Sequence, residues 1–221
     1  MSIPKPYYQD DAVTIYHGDC RQILPLLGKF DLLLTDPPYG IKRDKGMGGG
    51  GVDGFGGGFK RMPKSYDASW DDDAPSREVF SLVLASADLH IIWGGNYFTE
   101  SLPQQCKWLV WDKEQTMPSY SDAELAWTSL DGVAVKMKRL SGNGLMAVEK
   151  DRKHPTQKPL DLMLWCIGLA GDVTTILDPW AGSCTTGRAA KDLGKKAVLI
   201  EREERYCEVG ANRMAQEVLP L

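Results

Sequence analysis

The chain of 221 residues lacks several features that would each indicate a particular class of protein. No apolar run is long enough to cross a membrane and no signal peptide is recognisable, so we expect a cytoplasmic protein with no membrane partner. The five cysteines are odd in number, widely spaced and never part of a CxxC pair. This spacing predicts neither a disulfide framework nor a zinc site, and we expect no bound metal.

An excess of positive charge is also missing, since the net charge is −4. The basic residues are nevertheless concentrated: residues 42–64 hold six basic and two acidic side chains, and residues 136–158 hold seven and two. Runs of charge are often only solvated loops. Because each stretch adjoins a motif described below, we predict double-stranded DNA as the partner. The predicted DNA contacts are Lys42, Arg43, Lys60, Arg61, Lys138 and Arg139.

The composition, 43% hydrophobic and 25% charged, is that of a globular protein, and the length suits a single domain over residues 1–221. Apolar strand-like runs alternate with stretches of helical spacing, which predicts an α/β protein with a doubly wound, mostly parallel, seven-stranded sheet. The predicted strands are 13–17, 30–35, 89–93, 107–111, 124–128, 174–177 and 196–200. The predicted helices are 21–27, 76–87, 160–170, 185–193 and 203–217.

One segment departs from this alternation. Nine of the thirteen residues from Gly46 to Gly58 are glycine, so the backbone there has high conformational entropy and cannot pack a core. We predict a mobile loop over residues 42–64. Two interpretations stay open: a disordered loop, or a lid that becomes ordered over DNA when the substrate binds.

The motif Asp36-Pro37-Pro38-Tyr39 directly follows the predicted strand 30–35, at the strand end where ligands of α/β sheets bind. An exocyclic base amine is a poor nucleophile, because its lone pair is delocalised into the ring. An Asp36 oxygen and the Pro37 carbonyl, held by the rigid Pro-Pro pair, can accept its two hydrogens, and Tyr39 can stack on the base. A base inside a duplex must be flipped out to reach such a pocket. The alternative is a simple turn that closes a strand.

A second motif predicts a cofactor site. The predicted strand 174–177 is followed by Asp178, a Gly-containing turn and a helix that begins near Thr185, where free backbone N–H groups can bind polar groups. Glu201 ends the next strand, 23 residues after Asp178, and is placed to accept hydrogen bonds from ribose hydroxyls. The turn has neither a phosphate-binding lysine nor a full GxGxxG pattern. S-adenosylmethionine, which carries no phosphate, therefore fits better than a nucleotide.

Five segments together resemble the permuted (β-class) amino-methyltransferases of DNA, which act on adenine N6 or cytosine N4. They are Gly18-Asp19-Cys20, Asp36 to Tyr39, His154-Pro155-Thr156-Gln157-Lys158-Pro159, Asp178 to Gly187, and Glu201. The resemblance implies a circularly permuted, Rossmann-like methyltransferase sheet. Joining the chain ends would restore the usual order of the cofactor half, because the chain begins with the strand before Asp19 and ends with the helix after Glu201.

The resemblance also implies roles for individual residues. Asp19 is expected to bind the cofactor's adenine amine and Glu201 its ribose, while Asp36 contacts both the target amine and the cofactor's ammonium. The methionine end is assigned to Thr156, Gln157, Lys158, Asp178 and Gly182. The other motif positions expected at the cofactor are Cys20, His154, Pro179, Ser183, Thr185 and Thr186.

Two departures from the family pattern affect specificity and binding. Only about 25 residues separate Trp127 from His154, which leaves residues 129–153 as a very short target-recognition segment. Relaxed recognition follows, or recognition shared with the Gly-rich loop, a second copy in a homodimer, or a separate recognition or restriction protein. The cofactor turn has Gly182-Ser183-Cys184 where the family often has Gly-Ser-Gly.

An Asp before Pro-Pro-Tyr usually accompanies adenine N6 methylation in the resembling family, whereas Ser usually accompanies cytosine N4. The sequence therefore predicts an adenine-N6 DNA methyltransferase, with cytosine N4 as the first alternative. Methylation of amino groups in RNA or of a protein glutamine is a second alternative. A catalytically silent DNA-binding protein that keeps the fold is a third.

Overall fold

The computed structural model describes residues 2–40, 74–114, 121–141 and 157–216. The chain divides into two compact units, one of Met1–Pro37 with Ser76–Leu221 and one of Pro38–Pro75. In the second unit, Gly40 has a φ of +71°, and a Cβ there would lie 2.8 Å from the Ala74 nitrogen. This close approach requires a glycine at position 40. The Gly-rich loop predicted at 42–64 lies outside the described residues.

Over the residues described, the first unit is built on one nine-stranded sheet with the order β1-β2-β9-β8-β3-β4-β6-β5-β7. The strands are β1 Tyr8–Gln9, β2 Val13–His17, β3 Phe30–Thr35, β4 Ala87–Trp93, β5 Trp108–Asp112, β6 Ala123–Thr128, β7 Lys136–Arg139, β8 Thr175–Asp178 and β9 Lys196–Glu201. The helices are α1 Cys20–Ile23, α2 Arg77–Ala85, α3 Leu160–Leu169, α4 Thr185–Asp192 and α5 Glu204–Met214. Within the described residues, 3₁₀ turns lie at Leu24–Leu26 and Gly95–Tyr97.

Strands β2, β9, β8, β3 and β4 form a continuous parallel block. Strand β6 runs antiparallel to β4, β5 runs antiparallel to β6, and β7 is parallel to β5. The mostly parallel α/β sheet predicted from the sequence is thus confirmed. As a result, the carboxyl ends of the parallel block, of β5 and of β7 lie at one edge of the sheet, together with the beginning of β6.

The predicted strand number of seven is wrong, because the sequence patterns missed β1 and β7. Strand β1 has only two residues, Tyr8 and Gln9, paired antiparallel with β2. Strand β7 reads Lys-Met-Lys-Arg and is largely exposed at the sheet edge. Such a strand has no apolar alternation to reveal it, and exposed charge is typical of edge strands.

Local sequence explains the helix boundaries. The Asp19 carboxylate caps α1 by accepting from the Arg21 N–H, and Pro25 then turns the chain into the 3₁₀ segment after four helical residues. The Ser76 hydroxyl caps α2 in the same way, at the Val79 N–H. Helix α3 follows Pro159, whose fixed φ suits a helix start.

The core lies where α3, α4 and α5 pack against the parallel block. Leu162, Cys166, Ile176, Leu199 and Cys207 are completely shielded from solvent. Helix α4 approaches β9 closely at Gly187, where a Cβ would lie 2.4 Å from Leu199 Cδ1. Among the described residues, no helix combines the length and the apolar character that a membrane span requires.

Candidate functional site

Three parallel strands have an acidic residue at or directly after their carboxyl ends, at the same edge of the sheet. Strand β9 ends at Glu201, β8 ends at Asp178, and Asp36 directly follows β3. These strands are neighbours in the order β9-β8-β3, so the predicted cofactor and catalytic acids lie side by side. The carboxyl edge of a parallel sheet is where α/β proteins bind their ligands.

Glu201 is held by backbone donors. Its Oε2 accepts from the Gly182 N–H at 2.7 Å and its Oε1 from the Glu203 N–H at 2.8 Å. Its own carbonyl accepts from Gly18 N–H at 2.9 Å, which ties β9 to the end of β2. Burial raises the pKa of the Glu201 carboxyl, although the backbone donors act in the opposite direction. A carboxylate can accept about four hydrogen bonds, so Glu201 keeps some capacity to accept from hydroxyl groups.

Asp178 joins β8 to β3. The Thr35 hydroxyl donates to Asp178 Oδ1 at 2.7 Å, and the Trp180 N–H donates to the same oxygen at 3.2 Å. Asp178 is only 3% exposed, and burial raises its pKa to about 6 despite these donors. Thr35 directly precedes Asp36, so this hydrogen bond fixes the predicted catalytic residue relative to the predicted cofactor strand.

The turn between β8 and α4 contains two residues in the left-handed region, Gly182 at φ +50° and Cys184 at φ +60°. A non-glycine residue seldom adopts this conformation. Cys184 is completely buried, and a Cβ at Gly210 of α5 would lie only 2.3 Å from its Sγ. The cysteine that departs from the family's Gly-Ser-Gly pattern therefore fits because the facing helix carries a glycine.

The remaining predicted residues of this turn are buried against the same helices. The Arg213 guanidinium donates to the Ser183 carbonyl at 3.3 Å and to Thr185 Oγ1 at 3.0 Å. Thr186 Oγ1 lies 3.9 Å from Met163 Sδ, and Pro179 is buried beside Asp178. These contacts fix the turn between β8 and α4.

Asp36 is held by a charged donor instead. The Lys158 ammonium forms a hydrogen-bonded ion pair with Asp36 Oδ2. Lys158 and the neighbouring Gln157 are each only 8% exposed, although Lys158 lies 122 residues from Asp36 in the chain. The structure thus brings part of the predicted hexapeptide to the predicted catalytic motif. His154 and Thr156 lie outside the described residues.

Two further charged residues, which the sequence analysis did not select, complete this cluster. Lys158 Nζ lies 3.1 Å from Glu124 Oε2, and Lys113 Nζ lies 2.5 Å from Glu124 Oε1. Burial opposes the charge of Glu124, but Lys158 and Lys113 outweigh it and lower the pKa of this carboxyl to about 2. A charged residue inside the apolar run 123–128 was the available signal, because a buried carboxylate requires a cation.

Asp19 and Cys20 follow β2 at the same edge. Asp19 accepts from the Arg21 N–H at 2.9 Å and from Arg21 Nε at 2.9 and 3.0 Å, and these bonds lower its pKa. Arg21 itself is 65% exposed, so solvent screens this pair. Cys20 is buried, which raises the pKa of its thiol to about 11.

The predicted DNA contacts are described in part. Lys138 and Arg139 lie on the edge strand β7, opposite Trp111 and Asp112 of β5. Arg139 is 69% exposed, with its Nε 3.3 Å from Asp112 Oδ2. Of the recognition segment 129–153, the structure describes 129–141. Lys42, Arg43, Lys60 and Arg61 lie outside the described residues.

Pro37 is buried and is the last residue of the first segment of the first unit, whereas Pro38 and Tyr39 are half-buried and begin the second unit.

Within the part of the chain that the structure describes, no cluster of three or more His, Cys, Asp or Glu side chains could hold a metal ion. The charged and polar groups described at this edge of the sheet are carboxylates, two lysines and backbone N–H donors.

Comparison with known proteins yields both a family and a fold. Residues 89–213 match the family N6_N4_Mtase, described as DNA methylase. The chain is 25% identical to the type II methyltransferase M2.DpnII of Streptococcus pneumoniae over 261 residues, covering 96% of this chain and 93% of that protein. It is 26% identical to the type II methyltransferase M2.LlaDCHI of Lactococcus lactis subsp. cremoris, covering 95% and 92%.

Solved structures agree on the fold. The crystal structure of an M1.HpyAVI–SAM complex superposes with a TM-score of 0.61 at 21% identity, covering 92% of this chain and all of that one. The PvuII DNA methyltransferase, described as cytosine-N4-specific, superposes with a TM-score of 0.63 at 16% identity, covering 98% and 91%. The α/β architecture is thus that of DNA methyltransferases.

Proposed function

This chain belongs to the DNA methylase family whose members modify exocyclic N6 or N4 amines, and from that premise we propose that it methylates adenine N6 in DNA with S-adenosylmethionine. The observation that carries the proposal is the pairing of Asp36 with Lys158 beside Asp178 and Glu201. Together these four side chains lie along one sheet edge and can contact each polar part of S-adenosylmethionine.

The residues present fit S-adenosylmethionine. Its methionine end is a zwitterion, and the Asp36–Lys158 pair offers an anion for the ammonium and a cation for the carboxylate. Glu201 has acceptor capacity left for ribose hydroxyls, and Asp19 is assigned to the adenine amine. When bound, the cofactor supplies an electrophilic methyl group on its sulfonium. Gln157, Gly182 and the turn through Thr186 complete the proposed cofactor contacts.

The catalytic role of Asp36 follows from its position. An Asp36 oxygen and the Pro37 carbonyl accept hydrogen bonds from the two amine hydrogens of a flipped base and so direct the nitrogen lone pair at the methyl group; as the nitrogen gains the methyl group it loses one proton, which Asp36 is placed to take up. As a carboxylate, Asp36 accepts hydrogen bonds and donates none, and before a ligand binds it is paired with the Lys158 ammonium. Holding amine and methyl group in line supplies most of the rate, and no covalent enzyme intermediate is needed. Tyr39 is proposed as the stacking partner of the flipped base.

The proposal includes the permuted motif order and a DNA surface on the same edge. In the structure, β2 pairs with β9, so the first and last strands of the cofactor half adjoin, which supports the permuted assignment. Lys138 and Arg139 at the end of β7 are proposed to contact phosphates. A homodimer, or a partner as in a type II restriction–modification system, is proposed to supply recognition that residues 129–153 are too few to provide.

The test is transfer of a labelled methyl group from S-adenosylmethionine to unmethylated duplex DNA, followed by digestion to nucleosides. We expect label in N6-methyldeoxyadenosine, with no label in DNA when Asp36→Asn is used as the matched control. Label only in N4-methyldeoxycytidine would refute the adenine assignment and favour the cytosine alternative. Label in RNA or protein but not in DNA would refute DNA as the substrate.

A further inference from the structure

Asp19, the residue assigned to the cofactor's adenine amine, is already engaged by its neighbour Arg21. Its Oδ1 accepts from the Arg21 backbone N–H at 2.9 Å and from Arg21 Nε at 3.0 Å, and its Oδ2 accepts from Nε at 2.9 Å and from Nη2. In the described part of the chain, every donor to this carboxylate belongs to Arg21. Both oxygens are engaged, and their contacts match the roughly four hydrogen bonds that a carboxylate accepts.

The pair of Asp19 and Arg21 lies next to Glu201, the residue assigned to the ribose. Strands β2 and β9 are parallel with His17 opposite Glu201, and the Gly18 N–H donates to the Glu201 carbonyl at 2.9 Å. Asp19 therefore follows the register partner of Glu201 by two residues, at the same edge of the sheet. Because ribose and adenine are joined directly, a ligand whose ribose contacts Glu201 brings its base toward Asp19.

The donors of Arg21 differ in how firmly the fold holds them. Its backbone N–H belongs to the first turn of α1, where Asp19 is the capping residue, so this donor stays in place. Its guanidinium is on a side chain that is 65% exposed, whereas the Asp19 side chain is 22% exposed. Solvent screens such an exposed ion pair and hydrates the guanidinium after it leaves, so the pair opens at low cost.

We propose that Arg21 is a positioning residue whose guanidinium holds the Asp19 carboxylate before a ligand binds and competes with the cofactor's adenine amine for Asp19 Oδ2. The inference rests on the proposed function, in which Asp19 contacts that amine. On binding, the guanidinium gives up Oδ2 and turns to solvent, Oδ2 accepts from the amine, and the backbone N–H of Arg21 stays on Oδ1.

Competition and structural support predict opposite effects of removing the guanidinium. If Arg21 competes for Oδ2, a ligand that carries the amine binds more tightly to Arg21→Met, because no donor has to leave. If Arg21 only holds Asp19 in place, the same variant binds the ligand more weakly. Arg21→Lys keeps the charge but loses the fork that engages both carboxylate oxygens, so its effect should lie between those of wild type and Arg21→Met.

The test is isothermal titration of the full chain with three ligands. S-adenosylhomocysteine carries adenine and the amino-acid end, 5′-methylthioadenosine carries adenine but lacks the amino-acid end, and S-inosylhomocysteine has a carbonyl in place of the adenine amine. For Arg21→Met we expect both adenine ligands to bind about threefold more tightly, in the range of exposed ion pairs. S-inosylhomocysteine should bind with unchanged or lower affinity, because its carbonyl cannot donate to Asp19.

Salt gives a second measurement that a structural role of Arg21 would not change. 5′-Methylthioadenosine is uncharged, so raising the salt concentration from roughly 0.05 M to roughly 0.5 M acts mainly on the protein's own ion pairs. Wild type should bind it more tightly as salt weakens the Asp19–Arg21 pair, whereas the affinity of Arg21→Met should stay constant. Lys29→Met is the matched control, because Lys29 forms an exposed ion pair with Asp88 near the amino ends of β3 and β4.

Unchanged or weaker binding of the adenine ligands by Arg21→Met would overturn the inference, and so would an equal gain for S-inosylhomocysteine or for Lys29→Met. These titrations contain no DNA. A wild-type protein that binds the adenine ligands but methylates no DNA would refute the proposed function, whereas the ligand comparison would still decide the role of Arg21.

Discussion

The two halves of the site hold their carboxylates with different donors. On β8 and β9, Asp178 and Glu201 accept from neutral hydroxyl and backbone N–H groups. After β3 and on β6, Asp36 and Glu124 are held by the ammonium groups of Lys158 and Lys113. Neutral backbone donors are fixed by the fold, whereas a lysine at the end of a long side chain can exchange one carboxylate for another.

This difference matches what each half is proposed to bind. The ribose and adenine of the cofactor carry no charge and require fixed acceptors. The methionine end brings charge into the site, and the target amine becomes cationic as it gains the methyl group; an exchangeable ion pair can accept these charges without leaving an unpaired charge. The comparison therefore predicts that the β8–β9 half is rigid in ligand binding and the Asp36 half rearranges.

The largest effect is expected from a substitution in the half of the site whose carboxylates are held by lysines. Asp36→Asn keeps the size of the side chain but removes the charge and turns one acceptor into a donor. We expect methyl transfer to DNA to fall by roughly 10³-fold, the range seen when one preorganised polar contact to a reacting group is lost. S-adenosylhomocysteine binding should be retained in part. Equal losses of transfer and of ligand binding would assign Asp36 to the cofactor alone.

A second prediction concerns the ionisation of Asp178 in the rigid half. Its pKa is raised from 3.8 to about 6, so the folded state binds the proton more tightly than the unfolded state. The stability that this provides is complete below about pH 4 and is lost as the pH rises through about 6. In wild type, the free energy of unfolding should therefore fall between about pH 4 and pH 6. We expect Asp178→Asn, measured by urea denaturation, to reduce this decrease by up to about 3 kcal/mol. Parallel pH curves for variant and wild type would contradict the raised pKa.

Glu201→Gln tests whether the half of the site on β8 and β9 binds the ribose and adenine and not the amino-acid end of the ligand. One of the two backbone N–H groups that now donate to Glu201 would face an amide NH₂, so the turn at Gly182 would loosen. We expect S-adenosylhomocysteine and 5′-methylthioadenosine to bind more weakly by a similar factor, roughly thirtyfold or about 2 kcal/mol. Selective loss of S-adenosylhomocysteine binding would place Glu201 at the methionine end instead.

The smallest effect is expected from a substitution in the packing of α5 against the turn between β8 and α4. Gly210→Ala would place a Cβ 2.3 Å from Cys184 Sγ in the present geometry, so the turn or α5 must shift. We expect a loss of about 1–2 kcal/mol in the free energy of unfolding, the lower part of the range for overpacked cores. Combining it with Cys184→Gly should recover most of the loss. No recovery would mean that the clash lies elsewhere.

Sequence patterns predicted the parallel block of the sheet well, because its strands are buried on both faces and appear as continuous apolar runs. Strand β3 was predicted at its observed limits, 30–35. The short β1 and the basic β7 escaped, since an edge strand is stabilised by pairing with β2 or β5 and not by its own apolar pattern. The order of the strands in the sheet could not be predicted from the local sequence pattern, because it depends on pairing between distant segments.

For the site, the sequence indicated the residues that directly follow apolar strands, namely Asp36, Asp178 and Glu201. It could not show that Lys158 lies between Asp36 and Glu124, because that contact depends on the antiparallel placement of β6 beside β4. Likewise, the tolerance of Cys184 in a left-handed conformation depends on Gly210, which lies on a different helix.

The most direct test of the contrast between the two halves is a crystal structure of the protein with S-adenosylhomocysteine. We predict that Lys158 Nζ leaves Asp36 for the ligand carboxylate, that Asp36 contacts the ligand ammonium, and that Gly182 N stays near 2.7 Å from Glu201 Oε2. A complex in which Lys158 remains paired with Asp36 and the ligand's amino-acid end binds elsewhere would contradict the account.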